Sequence, residues 1–254
     1  MLAQLVPGEV FAFLLVFARI GSTVMLLPGI GENYVNTRVR LAFALALTAV
    51  IYPLVRDTLP AAPGPPLSLF LLLSGEILHG VFIGAVTRFL IMSLHFAGTV
   101  VAFLSSLAMA QTIDPNQGVQ GALASAFFSI IGVTLIYVSG LHAVMIGAIY
   151  DSYTLFPVGV APPAQDYAEL AVKLFSRSFE IGLRMAAPFV IYGLLFYIGI
   201  GLLQRLNPQI QIFFIAMPAQ LTLAFVVLSM VLSAMFMVFL NHFESSTVNL
   251  LLIR

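Results

Sequence analysis

The stretch Leu67 to Ala110, LSLFLLLSGEILHGVFIGAVTRFLIMSLHFAGTVVAFLSSLAMA, decides the fold, and its only full charges are Glu76 and Arg88. A helix that crosses a bilayer needs about 20 apolar residues. This run is therefore long enough to cross twice, with Ser93 to Gly98 as its internal break. Working outward, comparable apolar runs cover Val10 to Leu27, Val39 to Val55, Ala122 to Tyr150, Leu170 to Leu203 and Ile212 to Leu240. They predict an all-α membrane protein with six hydrophobic helices, or seven if the quoted run divides.

The composition agrees. Of 254 residues, 61% are hydrophobic and 8% charged, whereas a soluble domain carries about a quarter charged residues. Ten acidic and ten basic side chains balance, so there is no electrostatic footprint for nucleic acid and no polybasic run for docking on anionic lipid. The partner is lipid or apolar protein. The chain has no cysteine, which removes disulfides, thiolate nucleophiles and Cys-based metal sites. Nothing basic precedes the run from Val10, so the first segment reads as a retained helix. The connections Pro28 to Asn36, Pro53 to Pro66, Gln111 to Gly121 and Asp151 to Asp166 hold the Pro, Gly and Asx residues that stop helices. Residues 1–254 read as one membrane domain. Arg38 and Arg40 form the only basic cluster between runs, too little for the positive-inside rule to orient the chain.

Charges within apolar runs are costly and face a partner, a cavity or water, and two groups stand out. Glu169, Lys173, Arg177, Glu180 and Arg184 recur at spacings of four, four, three and four, which aligns them on one helix face. Glu180 and Arg184 form an acid-before-base pair worth about 0.3–0.5 kcal/mol when exposed. Such a stripe is either solvated at the interface or docked on charges of other subunits. In the second group Glu76, Gly80, Gly84 and Arg88 recur every four residues, with His79 adjacent. The Gly80/Gly84 spacing admits a close backbone neighbour, from within the chain or from another subunit. Glu76 is the first candidate for a buried polar role.

Catalytic signatures are absent. The histidines His79, His95, His142 and His242 are scattered, and the sequence has no HExxH, GxSxG or Gly-rich phosphate loop. His142, alone in an apolar run, reads as a hydrogen-bonded helix contact. No cofactor is called for. A secondary transporter would show paired interrupted helices in two repeat halves, and no such pairing is present.

The segment Met109 to Gly121 differs in kind. Asp114 is the only full charge between Arg88 and Asp151, and it opens Asp114-Pro115-Asn116-Gln117-Gly118. Asp before Pro suits a type I turn, or a cap for a helix starting at Pro115. Either way a polar loop, from Gln111 through Gly118 to Gly121, separates two apolar helices. It is a plain connector or a loop entering the interior of a complex.

Several of these segments, in order, resemble one family. Ala97-Gly98 through Ala108-Met109-Ala110 followed by Asp114-Pro115-Asn116-Gln117-Gly118 is similar to the FliR pattern of an apolar, Gly-containing helix ending in an Asp-Pro-x-x-Gly loop. Gly140-Leu141-His142, Pro157-Val158-Gly159, and Asn207-Pro208-Gln209-Ile210-Gln211-Ile212-Phe213-Phe214 closing on Met217-Pro218 resemble its later signatures, and Arg38, Arg40 and Leu41 also fit. One departure is Thr99-Val100, where many members carry Glu. The resemblance implies a non-enzymatic flagellar type III export gate subunit, with an injectisome relative of the same fold as the alternative. It implies assembly with FliP and FliQ chains, near FlhB-like and FlhA-like components, into a portal for unfolded proteins. The helices would then be bent hairpins in a helical assembly at the inner membrane, displaced toward the periplasm. The loop bearing Met109, Gln111, Asp114, Pro115, Asn116, Gln117, Gly118 and Gly121 would correspond to the family's plug. Glu76, Gly80, Gly84, Arg88, Lys173, Arg177, Glu180 and Arg184 would supply subunit packing or polar contacts.

Overall fold

The computed structural model describes residues 2–107, 123–160, 163–206 and 212–251, and among these it is all α. The helices are α1 (Leu2–Val24), α2 (Thr37–Val55, followed by a 3-10 turn Arg56–Thr58), α3 (Pro66–Leu104), α4 (Leu123–Val138), α5 (Leu141–Leu155), α6 (Ala164–Leu206) and α7 (Ile212–Leu251). Four of them, α2, α3, α6 and α7, are long and apolar enough to cross a membrane, and the broken pair α4–α5 makes five if it counts as one span.

Among the described residues there are seven helices, but the extra break is not where the quoted run suggested. The helix α3 runs unbroken through Ser93 to Gly98. Gly98 serves close approach instead of a turn, since a β-carbon there would lie 2.5 Å from the Cα of Ser125 on α4. The break falls in the run Ala122 to Tyr150, at Gly140, whose φ of 79° is left-handed. A β-carbon is penalised in that conformation and glycine is not.

The chain forms two compact units: residues 1–90, 137–175 and 245–254, and residues 91–136 and 176–244. In the first, α1 is the central helix. Leu15, Val16, Ile20 and Val24 are all fully buried, and a helix covered on adjacent faces is a core helix. The outer helix α2 packs on it through one stripe, Ala44, Thr48, Ile51 and Val55. Asn36 caps α2 by accepting from the Arg38 N–H at 2.9 Å, which satisfies one of the orphan donors of a helix start.

In the second unit the latter part of α3 contributes Leu94, Ala97 and Val101, α4 contributes Phe128 and Ile136, α6 contributes Met185 and Phe189, and α7 contributes Phe236, Phe239 and Phe243, all buried. Phe128 and Phe236 meet edge to face, with centroids 5.7 Å apart, a favoured geometry for aromatic pairs. Thr99 hydrogen bonds across to Ser125 at 2.9 Å, and Ser125 donates to the His95 carbonyl at 3.1 Å. A polar helix contact thus exists where Glu was expected in relatives.

Candidate functional site

Arg19 lies in the middle of α1 and is completely buried. A buried guanidinium must place its N–H donors on acceptors, and this one does. Nε donates to Glu76 Oε2 at 2.7 Å and Nη2 to Glu76 Oε1 at 3.1 Å, a two-point contact with a carboxylate that is itself 1% exposed. Nη1 donates to the Ser152 carbonyl at 3.0 Å and Nη2 also to the Phe156 carbonyl at 2.8 Å. These oxygens belong to the last turn of α5 and the residue that caps it, where unpaired carbonyls and the helix dipole favour a cation. The Tyr153 ring sits 4.2 Å from the guanidinium carbon. One side chain thereby fastens α1, α3 and the end of α5.

The surrounding groups extend this knot. His79, one turn beyond Glu76, places Nδ1 2.5 Å from the Tyr167 hydroxyl on α6 and stacks on Phe156. Tyr167 also stacks flat on Phe82, with centroids 3.7 Å apart. Further along α3, Arg88 pairs with Glu32 at 2.7 Å and donates to the Gly31 carbonyl at 3.1 Å. Arg40 donates to the carbonyls of Val35 and Glu32. The turn Pro28 to Asn36 is therefore clamped from two helices.

Gly80 and Gly84 lie between these ion pairs. A β-carbon at Gly80 would collide with Ser22 Oγ and the Arg19 carbonyl, and one at Gly84 would lie 2.6 Å from Leu26 Cβ. Thr23 Oγ1 donates to the Gly80 carbonyl at 3.0 Å. So Glu76, Gly80, Gly84 and Arg88 direct their contacts at α1 and the turn after it, inside the chain.

The α6 stripe is arranged differently. Glu180 is held between Arg177 at 2.8 Å and Arg184 at 2.5 Å, with all three side chains between 43% and 60% exposed. Lys173 and Glu169 are exposed as well. His142 corrects an expectation: it stacks on Tyr137 and its buried Nδ1 has no hydrogen-bond partner. The loop of Met109, Gln111, Asp114, Pro115, Asn116, Gln117, Gly118 and Gly121, and the segment Asn207 to Gln211, lie outside the described residues.

Two residues that organise the structure were not read from the sequence. An arginine inside Val10 to Leu27 needs a buried acid, and Glu76 is the sole acid of the equally apolar run Leu67 to Ala110, so that pairing was available as a signal. Gln220, 4% exposed on α7, carried none.

The family model for bacterial export proteins, family 1, matches residues 10–246. The chain belongs to that family. Among its relatives is the flagellar biosynthetic protein FliR of Caulobacter vibrioides, 37% identical over 93% of this chain and 94% of that protein. FliR of Bacillus subtilis is 27% identical over 92% and 90%. The Yop proteins translocation protein T of Yersinia pestis is 25% identical over 88% and 87%. The chain is thus similar over most of its length to both flagellar and translocation proteins. This chain is one of its membrane-embedded components, and the buried Arg19–Glu76 pair and the exposed α6 charges both fall within the matched residues.

Proposed function

We propose that the chain is a structural, non-catalytic subunit of the flagellar type III protein export gate. With FliP-like and FliQ-like chains, beside FlhA-like and FlhB-like components, it forms the portal through which unfolded flagellar proteins leave the cytoplasm. The observation that carries this reading is helix length. The helices α3, α6 and α7 have 39, 43 and 40 residues, a contour of about 58–65 Å each at ~1.5 Å per residue. To stay within about 30 Å of hydrocarbon, such a helix would tilt by about 60°, beyond the ~40° limit of known spans. A large part of each helix then stands outside the hydrocarbon, yet exposed apolar residues continue along its length: Leu71 and Phe103 on α3, Val172 and Phe175 beside the charges of α6, Phe225 and Met230 on α7. Protein, and not water, suits such surfaces.

This supports an assembly rooted in the inner membrane and continuing toward the periplasm, in which neighbouring subunits cover the long helices. Lys173, Arg177, Glu180 and Arg184 dock on charges of those subunits, whereas Glu76, Gly80, Gly84 and Arg88 fix the chain's own packing. The flagellar role is favoured over the injectisome role by the higher identity to the Caulobacter protein, 37% against 25% for the Yersinia one. The polar segment from Met109 to Gly121 serves as the plug, on the strength of its resemblance to the family's loop. The test is purification of the tagged chain from cells that also express the FliP-like and FliQ-like proteins. One stable complex is expected; a well-behaved monomer that carries solute across vesicles unaided would refute the gate reading. Deleting residues 111–120 should leave the complex assembled and make cells leaky to ions, and unchanged permeability and export would remove the plug role.

A further inference from the structure

In the second unit, α3 ends at Leu104 and Ser106 follows with φ of 62°. Ser106 is the only non-glycine residue with positive φ among the described residues. A side chain rarely occupies that conformation unless its surroundings hold it there. The holding group is the buried amide of Gln220 on α7. Its Oε1 accepts from Ser106 Oγ at 2.6 Å, and its Nε2 donates to the Leu104 carbonyl at 2.7 Å and to the Tyr197 hydroxyl at 3.3 Å. Tyr192 on α6 donates to the Gln220 backbone carbonyl at 2.7 Å. Both amide N–H groups are thus engaged, one of them on the carbonyl of the last residue of α3.

We propose that Gln220 is a positioning residue, a latch that keeps Ser106 left-handed and so fixes where α3 ends and in which direction the chain leaves it. With the latch open, Ser106 relaxes to the right-handed region, which re-aims Leu107 and the backbone leaving it. Because Tyr192, Tyr197 and Gln220 lie on α6 and α7, partner contacts along those helices bias the same latch. This last step rests on the export-gate reading; the latch itself does not.

The chain has no cysteine, so a single Gln111→Cys label reports cleanly on the departing chain. Its maleimide reactivity is compared in the full-length protein, co-expressed with its partner subunits, for the parent and for Ser106→Gly, Ser106→Ala and Gln220→Leu. Glycine tolerates the left-handed φ without the latch, so Ser106→Gly should label as the parent does. Ser106→Ala keeps a β-carbon and loses the bond. It and Gln220→Leu should both change the labelling rate in one direction by about fivefold or more, as a left-handed β-carbon penalty implies. Equal rates for the glycine and alanine variants, or an unchanged rate for Gln220→Leu, would overturn the latch. Should Gln220→Leu not accumulate, the two Ser106 variants decide alone. Export is scored in parallel: loss in the alanine and leucine variants with retention in the glycine variant supports coupling, and export equal in all three refutes it. Failure to copurify with partners would count against the gate reading, while the labelling contrast within the chain still decides the latch.

Discussion

Replacing Glu76 by Gln removes one negative charge and almost no volume, and it leaves the fully buried Arg19 guanidinium without its counter-ion. Removing one member of a buried pair costs about 3–5 kcal/mol, because the remaining charge keeps its desolvation penalty and loses the attraction that offset it. The two-point contact at 2.7 and 3.1 Å pushes the loss up within that range. The Ser152 and Phe156 carbonyls and the Tyr153 ring, which still face the guanidinium, pull it down. The expected loss is about 3 kcal/mol, or roughly a hundredfold in folded population. The double variant Arg19→Met with Glu76→Met should be milder. Apolar replacement of both charges is often neutral or stabilising, by up to about 1–4 kcal/mol, which offsets most of the cost of the Ser152 and Phe156 carbonyls left without a donor, about 1–3 kcal/mol each. The assay is the fraction of tagged protein that remains monodisperse in detergent after heating, with Glu9→Gln as reference. Glu9 pairs with the exposed Arg56, and exposed pairs contribute about 0–1 kcal/mol. If Glu76→Gln melts together with Glu9→Gln, or the double variant melts below the single, the knot does not hold the helices in the way the geometry indicates.

Three further perturbations address other parts of the argument. Gly84→Val sets a β-carbon 2.6 Å from Leu26 Cβ and should destabilise by about 1–3 kcal/mol through overpacking; Gly147→Ala, where a β-carbon meets nothing within 4 Å, should be neutral or mildly stabilising in the same melt. Gly140→Ala has open space around the new carbon but a φ of 79°, so its expected cost of about 1–2 kcal/mol is backbone strain alone, and a wild-type melt would show that the break between α4 and α5 has another cause. Reversing Arg177 and Arg184 to Glu should weaken recovery of partner subunits well beyond the ~0.3–0.5 kcal/mol of an exposed helix pair; unchanged recovery and motility would return the stripe to the solvent.

The helical class was legible because an apolar run longer than one span has few other solutions. Gly80 and Gly84 were legible as close-packing positions from their spacing, although spacing says nothing of whose backbone approaches. Pairing over long range was harder: Arg19 and Glu76 are 57 residues apart, and neither run shows any local trace of the other beyond Arg19 as the one charge of the first and Glu76 as the one acid of the second. The position of the break was misread because Gly98 and Gly140 look alike in sequence. One lacks a β-carbon so that α4 can approach, the other so that the backbone can take a left-handed turn. Gln220 was invisible because an amide in an apolar helix acquires meaning only from what meets it.

Hydropathy alone does not count membrane crossings, for a related reason. Lipid tails are about as apolar as leucine, so an apolar run records the polarity of its surroundings and not their identity. Length separates the two cases. In α6, Met185 to Gln204 carries no charge and matches the ~20 residues of one span, while the preceding half carries Lys173, Arg177, Glu180 and Arg184 exposed or half-exposed. In the first unit two charged pairs join separate segments of the chain, Arg19 with Glu76 and Arg88 with Glu32. The α6 charges pair instead with one another along their own helix. With two arginines around one carboxylate the stripe keeps a net positive charge, and a neighbour presenting acidic side chains to that face would complete the pattern that the first unit achieves within itself.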